Sequence, residues 1–278
     1  MRWVTSKQVE LLNSEQFAYL ANELIKAEAS ANNIPRTNIW LNDNIDVPDG
    51  GIDARIKHDI NLDCRIPNGA SIWQYKSGKL SPNKLKEELE KKDVIEEITK
   101  GASYYLLLGK TSPKTRKSLE EILETSCENY RIFTSIEIAE WVSDYPPVAK
   151  RFFDIKGDFS TFEEWANQHQ IPFQIGENQK SLFEKIEQIY TEASELRAIR
   201  LVGANGIGKT RFALELIRKL DLAPITIYTD SDDIDSDLLG DLKDLSSKNS
   251  KIILVVDNCS YSKLESLLTK LPNTKLTI

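Results

Sequence analysis

Residues 203–210, GANGIGKT, place glycines, a lysine and a threonine at the spacing G-x-x-x-x-G-K-[ST]. In this pattern the glycines let successive backbone N–H groups point at the phosphates of a nucleotide. Lys209 is expected to hold the β- and γ-phosphates, and the Thr210 hydroxyl is expected to bind Mg²⁺. The helix that follows adds the positive end of its dipole. The segment therefore predicts a site for a nucleoside triphosphate.

A second segment supplies the other ligand that such a magnesium ion needs. Residues 252–256 are consecutive apolar residues followed by Asp257, which is typical of a buried strand that ends in a carboxylate where ligands bind. We expect Asp257 to contact Mg²⁺ directly or through water. Asn258 occupies the place where many hydrolysing ATPases carry an acid, which predicts slow turnover. The predicted nucleotide-binding residues are Gly203, Asn205, Gly206, Gly208, Lys209, Thr210, Arg211 and Asp257, with ATP and Mg²⁺ as cofactors and GTP as an alternative to ATP.

A less obvious site is predicted near the start of the chain, in PDGGIDARI and WQYKSG. In a strand Gln74 and Lys76 project from the same face and Tyr75 from the other, and Asp53 on a neighbouring strand can meet them. Asp53 and the Gln74 carbonyl oxygen would hold Mg²⁺, which lowers the pKa of a bound water. Lys76 would orient that water and offset negative charge in the transition state. Asp53, Gln74 and Lys76 therefore predict metal-dependent phosphodiester hydrolysis.

The elements that must position these residues follow from hydrophobic periodicity and turn signals. Helices are expected at about 14–27, 83–100, 115–128 and 135–145, and strands at 52–56, 71–77, 103–109 and 131–134. These form an α/β unit over 1–149, followed by a connector with a helix over 150–195. Strands at 198–203, 225–229 and 251–258 and a helix at 210–220 predict a parallel, doubly wound sheet over 196–278.

Residues 10–145 resemble the Mrr-like branch of the PD-(D/E)xK nuclease superfamily through the GGxD turn and the QxK strand. The resemblance implies a restriction-endonuclease-like α/β fold and cleavage of double-stranded DNA. Many relatives carry a metal-contacting Glu just after the first-helix aromatic, whereas this chain has Phe17 and Ala18. Glu15 and Glu23 are the alternatives for that role.

Residues 196–278 resemble the STAND class of signalling NTPases, in particular the bacterial Avs antiviral proteins, through the phosphate-binding loop and VVDNC. The resemblance implies a nuclease effector controlled by ATP in antiphage defence. It also implies a homo-oligomer, commonly a tetramer, and a C-terminal sensor for a phage protein. The chain, which ends in NTKLTI in what looks like the next strand, is accordingly expected to be an N-terminal fragment.

Two other functions remain open from the sequence. One is a restriction-type nuclease whose NTPase translocates along DNA. The other is a nuclease fold that has decayed into a DNA- or protein-binding module, which the absence of the first-helix Glu favours.

Composition and charge indicate which broad class of protein the chain belongs to. The 278 residues are 40% hydrophobic and 28% charged with a net charge of −7, which indicates a globular chain of about two domains and excludes a surface uniformly rich in basic residues. No apolar run reaches the length of a signal peptide or bilayer span, and scattered cysteines fit reducing conditions, so we expect a cytoplasmic protein with no membrane partner. The charged runs 86–97 and 230–237 are expected to be a solvated helix face and a solvated loop.

Overall fold

The computed structural model describes residues 4–42, 50–60, 64–155, 158–169, 176–192, 198–247 and 252–271. Its contacts divide the chain into two compact units, Arg2–Ser143 and Asp144–Ile278. The fold is α/β, with a five-stranded sheet in the first unit and a three-stranded sheet in the second. Within the described ranges, no helix combines the length and apolar character needed to cross a bilayer.

The first unit surrounds a mixed sheet with helices. Its elements are α1 (Ser6–Glu10), α2 (Ser14–Ala31), β1 (Ile39–Leu41), β2 (Ala54–His58), β3 (Gly69–Lys79), α3 (Pro82–Leu89), α4 (Lys92–Thr99), β4 (Ser103–Lys110), α5 (Pro113–Ser126), β5 (Tyr130–Phe133) and α6 (Ser135–Ser143). The strands lie in the order β1-β2-β3-β4-β5. Pairing is antiparallel from β1 to β3 and parallel from β3 to β5. The expected pairing of the Asp53 and Lys76 segments as neighbouring strands is confirmed.

Strand β3 is central because its two faces meet different helices. Even-numbered residues such as Ile72 pack into an apolar cluster with α3, α4 and α5. On the other face, Trp73 is fully buried and stacks with Phe133 at a centroid distance of 6.2 Å. Burying large apolar side chains of this kind stabilises a fold by about 1.5–3 kcal/mol each. The strand therefore holds Gln74 and Lys76 on a rigid part of the unit.

The single helix predicted for 83–100 is instead two helices, α3 and α4, separated by Glu90 and Lys91. Residues 84–92, which flank the break, are all Lys, Leu or Glu and are good helix formers, so propensity does not reveal the break. A tertiary contact lies at this point. The aliphatic part of Lys91 approaches Gly51 so closely that a Cβ atom there would be 2.6 Å from Lys91 Cδ.

The second unit contains α7 (Pro146–Phe153), β6 (Ser160–Thr161), α8 (Phe162–Asn167), α9 (Glu177–Glu192), α10 (Lys209–Lys219), β7 (Thr226–Asp230), α11 (Ser236–Ser247), β8 (Ile253–Asp257) and α12 (Tyr261–Lys270). The sheet order is β6-β7-β8. Strands β7 and β8 are parallel, as expected, but β6 is antiparallel to β7. The described sheet is thus mixed, whereas the sequence predicted a parallel one.

Part of the segment expected to be a connector, 150–195, belongs to this second unit. It contributes the edge strand β6 and the helix α8, and Pro146 and Pro147 open α7 just before it. Trp165 is fully buried and stacks on Tyr228 of β7 with a centroid distance of 4.8 Å. Trp165 therefore reflects packing against the sheet, which leaves no helical or strand period in the sequence.

The strand predicted at 198–203 does not form. Ile199 and Leu201 pack against a cluster on α9 and α10, formed by Phe183, Ile186, Phe212 and Leu216, and Val202 is 77% exposed. Ile199 and Leu201 are thus partly buried against helices, and the segment does not pair with a strand. The strand expected at the end of the chain, 273–278, lies outside the described residues.

Candidate functional site

The glycine-rich loop leads directly into α10. Gly206 and Gly208 have φ angles of 76° and 92°, in the left-handed region that favours glycine. Gly208 is the N-cap of α10, and Lys209 is its first residue. The backbone N–H groups in the first turn of a helix lack partners within the helix, and the dipole there favours anions. This end of α10 is therefore suited to bind phosphate.

Thr210 and Asp257, which are 47 residues apart in sequence, meet at the mouth of this loop. The Thr210 hydroxyl donates to Asp257 Oδ2 at 3.0 Å. Tyr228 OH also donates to Asp257 Oδ2, at 3.3 Å. Burial raises the pKa of Tyr228 to about 12, with the Asp257 charge adding to the effect, so the phenol stays a neutral donor. The predicted magnesium ligands thus converge.

A cavity of about 790 Å³ borders the loop. Its lining includes all of the predicted nucleotide-binding residues: Gly203, Asn205, Gly206, Gly208, Lys209, Thr210, Arg211 and Asp257. Lys209 Nζ donates to the carbonyl oxygens of Gly203 at 2.9 Å and Ala204 at 3.0 Å, so its ammonium lies over the loop. The Arg211 guanidinium forms an ion pair with Glu215 at 2.5 Å and donates a hydrogen bond to the backbone carbonyl of His169.

Asn258 is held at the carboxyl ends of the two parallel strands. Its backbone N–H donates to Asp257 Oδ1 at 2.9 Å, and its side-chain amide donates to Asp230 Oδ2 at 2.6 Å. Asp230 and Asp257 are neighbours across the β7–β8 pair. The amide therefore ties together the ends of the strands beside the predicted magnesium ligand.

In the first unit, Asp53 lies where β2 begins. Its backbone N–H donates to the Trp73 carbonyl at 2.8 Å, and its carboxylate accepts the Tyr75 N–H through Oδ2 at 2.7 Å. Asp53 thus continues the pairing with β3 one residue before the start of β2. Asp53 is half-buried and lies at the edge where the two strands separate.

Gln74 and Lys76 project from the same face of β3, as predicted, and both reach Glu88 of α3. Lys76 Nζ donates to Glu88 Oε1 at 3.0 Å, and Gln74 Nε2 donates to Glu88 Oε2 at 2.9 Å. The same Nε2 donates to the Gly51 carbonyl at 3.2 Å, and Tyr104 OH donates to Gln74 Oε1 at 2.6 Å. Tyr75 points the other way, where its hydroxyl donates to Asn22 of α2.

Glu88 was missed by sequence reasoning, which assigned the run 86–97 to a solvated helix face. That prediction is wrong for this residue, which is 3% exposed. Leu85 and Leu89 precede and follow it on α3 and are buried in the apolar cluster. Positions i, i+3 and i+4 of a helix share one face. The spacing of Leu85, Glu88 and Leu89 was therefore the signal that places Glu88 on the buried side.

The protonation states of Glu88 and Tyr104 are set by burial and by neighbouring charges, which include those of Lys76 and Lys91. Burial acts to raise the pKa of Glu88, but hydrogen bonds and charges from Lys91 and Lys76 outweigh it, so the pKa lies below its ordinary value. Lys91 Nζ lies 2.5 Å from Glu88 Oε2. Burial raises the pKa of Tyr104 well above its ordinary value, and the charges of Glu88 and Asp53 add to this. Tyr104 is therefore a neutral donor to Gln74.

The two alternatives for the absent first-helix carboxylate lie on α2. Glu15 is exposed in its first turn, and Glu23 forms an ion pair with Lys26 at 2.8 Å. Among the residues whose placement is described, no cluster of three or more His, Cys, Asp or Glu side chains could hold a metal. A divalent cation beside Asp53 would accordingly need neutral oxygen ligands, such as the Gln74 carbonyl. That oxygen has two lone pairs, of which Tyr104 uses one.

Comparison with known proteins does not assign the chain to a family. No protein-family model matches it, and no curated protein matches it at a significant level.

Proposed function

We propose that the chain is a magnesium-dependent DNA endonuclease whose activity is controlled by ATP bound in its second unit. The contact of Thr210 Oγ1 with Asp257 Oδ2 at 3.0 Å carries the nucleotide half of this proposal. A hydroxyl and a carboxylate oxygen are the ligand types that Mg²⁺ prefers. They lie beside the N-terminus of α10, where phosphates are favoured.

The roles of the nucleotide-site residues follow from this geometry. The loop N–H groups would bind the phosphates, and Lys209 would exchange its two carbonyl acceptors for phosphate oxygens, which are charged and stronger partners. Thr210 and Asp257 would hold the cation between them. Asn258 cannot act as a general base, because an amide has no proton-accepting carboxylate. Slow hydrolysis is the expected consequence, as in a switch.

The nuclease half rests on Asp53, Gln74 and Lys76. The Asp53 carboxylate accepts from the backbone N–H of Tyr75, the residue between the other two, and the side chains of Gln74 and Lys76 both reach Glu88. The Asp53 carboxylate and the second lone pair of the Gln74 carbonyl would hold Mg²⁺, which supplies an activated water when bound. Lys76 would offset the charge that develops on the phosphate. Lys79, Lys84 and Lys86 follow on β3 and α3, where they would contact DNA phosphates without reading sequence.

At the level of the family, we propose an Avs-type STAND protein with an Mrr-like effector. The order of elements supports it: a sheet with the GGxD and QxK segments precedes the phosphate-binding loop and a strand that ends in Asp257. Under this proposal a C-terminal sensor recognises a phage protein. ATP binding then favours a homo-oligomer, such as a tetramer, in which the nuclease units cut double-stranded DNA. The proposed site of action is the cytoplasm.

A second candidate is a DNA- or protein-binding module without hydrolysis. One observation favours it: the Lys76 ammonium is paired with Glu88, and the Gln74 amide is 1% exposed. A third candidate, a nuclease with a DNA-translocating NTPase, predicts vigorous hydrolysis stimulated by DNA. The switch predicts slow hydrolysis that DNA does not stimulate.

The test is cleavage of plasmid DNA with Mg²⁺ and ATP by the full-length protein, in the presence of an extract of phage-infected cells that supplies the trigger. Asp53→Asn removes one charge but keeps an oxygen that accepts the Tyr75 N–H, and it should reduce cleavage at least about 100-fold. Asp59→Asn, at the exposed far end of β2, is the matched control and should cleave like wild type. Lys76→Ala should be as inactive as Asp53→Asn. Equal cleavage by all these proteins would refute the site, and a wild type as inactive as both variants would favour the binding module.

A further inference from the structure

Glu88 is a buried carboxylate in otherwise apolar surroundings. Its side chain is 4% exposed, and Leu85 and Leu89 on the same helix belong to the apolar cluster. It accepts from Lys76 at 3.0 Å, from Gln74 at 2.9 Å and from Lys91 at 2.5 Å. A buried carboxylate is costly unless it is paired, and a buried ion pair that is replaced as a whole by apolar residues often leaves a protein at least as stable. Stability alone is therefore a weak reason for a carboxylate here.

The partners of Glu88 indicate what the carboxylate does. Two of its three donors belong to the predicted catalytic pair, Gln74 and Lys76, which leave β3 on one face. An ionised carboxylate only accepts hydrogen bonds, so the amide of Gln74 must turn its nitrogen toward Glu88. Its carbonyl oxygen then faces Tyr104. Glu88 thereby determines both where the ammonium lies and which way the amide points.

We propose that Glu88 is a positioning residue of the phosphodiesterase site, which fixes the Lys76 ammonium and the Gln74 amide relative to Asp53. This inference rests on the proposed function of the first unit. Lys91 is the third partner, and its side chain is 41% exposed. It binds Oε2 of Glu88, whereas Lys76 binds Oε1. The Lys91 ammonium neutralises part of the negative charge of Glu88. The carboxylate therefore holds Lys76 in place without depending on it as the only counter-ion.

The first test measures the position of Lys76 without using activity. The chain is treated with an amine-acylating reagent, and modification of each lysine is followed by peptide mass spectrometry. In Glu88→Gln the Lys76 amine is released from its anion, and its rate of acylation should rise about tenfold, since one charged hydrogen bond corresponds to about one decade or more. Glu87→Gln is the matched control, because Glu87 is the preceding residue on α3, with a side chain that is 63% exposed.

Lys79, on the same strand, separates release of Lys76 from general loosening of the fold. If Glu88→Gln accelerates acylation of Lys76 and leaves Lys79 at its wild-type rate, the positioning role is supported. If Lys76 reacts no faster in Glu88→Gln than in Glu87→Gln, or if Lys79 accelerates equally, the inference is wrong. These outcomes do not depend on whether the protein cleaves DNA.

The second test measures catalysis by the full-length protein. Glu88→Gln should lower kcat for plasmid cleavage at least tenfold and change KM for DNA less than threefold, because a misplaced ammonium affects the transition state more than DNA binding. Glu88→Asp, which retains the charge on a shorter side chain, should recover part of kcat. Wild-type kcat in Glu88→Gln would overturn the inference and leave the nuclease proposal intact. Absence of cleavage by wild type in the presence of the same extract of phage-infected cells, with any divalent cation, would instead refute the nuclease proposal.

Discussion

The two candidate sites differ in how the chain builds them. The nucleotide site is formed by one continuous loop, the first turn of α10 and the end of β8. The site in the first unit draws side chains from the edge of β2, from β3, from α3 and from β4. A continuous loop carries most of its geometry in its own backbone. A dispersed site depends on partners that the fold brings from elsewhere, and here these partners are Glu88 and Tyr104.

The two sites also differ in burial. Lys209 and Thr210 are half-buried and line a cavity, whereas Gln74 and Glu88 are almost fully buried. Changing a half-buried polar side chain affects mainly what it binds, while changing a buried, bonded one also affects folding. Substitutions in the loop should therefore alter affinity at constant stability. Substitutions around Glu88 should alter both.

The largest effect is expected for Lys209→Ala. Loss of the ammonium removes charge-assisted hydrogen bonds to the phosphates, worth about 3 kcal/mol, so ATP affinity should fall at least about 100-fold. Isothermal titration calorimetry measures this directly. Lys219→Ala is the matched control, since Lys219 is the last residue of the same helix and pairs with Glu187. Unchanged ATP affinity in Lys209→Ala would contradict the assignment of the loop.

The next effect separates the metal from the phosphates. Thr210→Ala removes the hydroxyl that contacts Asp257, and it should weaken ATP binding about tenfold in the presence of Mg²⁺. Binding in the presence of a chelator should change little, because the loop N–H groups remain. Thr210→Ser keeps the hydroxyl and should bind like wild type. An equal loss with and without Mg²⁺ would show that Thr210 supports the loop and does not bind the cation.

The features that the sequence predicted correctly are local ones, as in the nucleotide site. Thr210 and Asp257, which are in contact, were predicted to belong to one magnesium site because loop spacing and a strand end are local signals. The pairing of the Asp53 and Lys76 strands, and the shared face of Gln74 and Lys76, followed from alternation along the chain. These predictions needed no knowledge of distant contacts.

The wrong predictions concern features that tertiary contacts decide. The break between α3 and α4 lies at a contact with a glycine about 40 residues earlier in the chain. The apolar residues 199 and 201 pack on helices, where a strand was expected. Glu88 is charged, and a charged residue in a charged run is usually solvated. Only its spacing from Leu85 and Leu89 pointed inward.

The next prediction concerns the stability of the first unit and compares Tyr104→Phe with Tyr130→Phe. Tyr104→Phe leaves the Gln74 carbonyl oxygen buried without the donor at 2.6 Å, and it should lower the free energy of unfolding by about 1–3 kcal/mol. Tyr130→Phe is the matched control, because the Tyr130 hydroxyl bonds to Glu124 in an exposed contact. Urea denaturation followed by circular dichroism measures both. If the two variants are equally stable, the buried network around Gln74 does not contribute as proposed.

The smallest effect is expected for the contribution of Glu88 to the pH dependence of the free energy of unfolding. Its pKa is lowered in the folded state by hydrogen bonds from Lys91 and Lys76, against the effect of burial. A lowered pKa stabilises the fold fully above the ordinary carboxyl value of about 4.3, and this contribution is lost as pH falls through the folded value. The difference in unfolding free energy between wild type and Glu88→Gln should therefore shrink between pH 7 and pH 3. The difference between wild type and Glu87→Gln should change less, because that carboxylate is exposed. A constant difference for Glu88→Gln would mean that the two lysines do not hold the ionised form, and the first unit would then lack the charged network that distinguishes it from the nucleotide site.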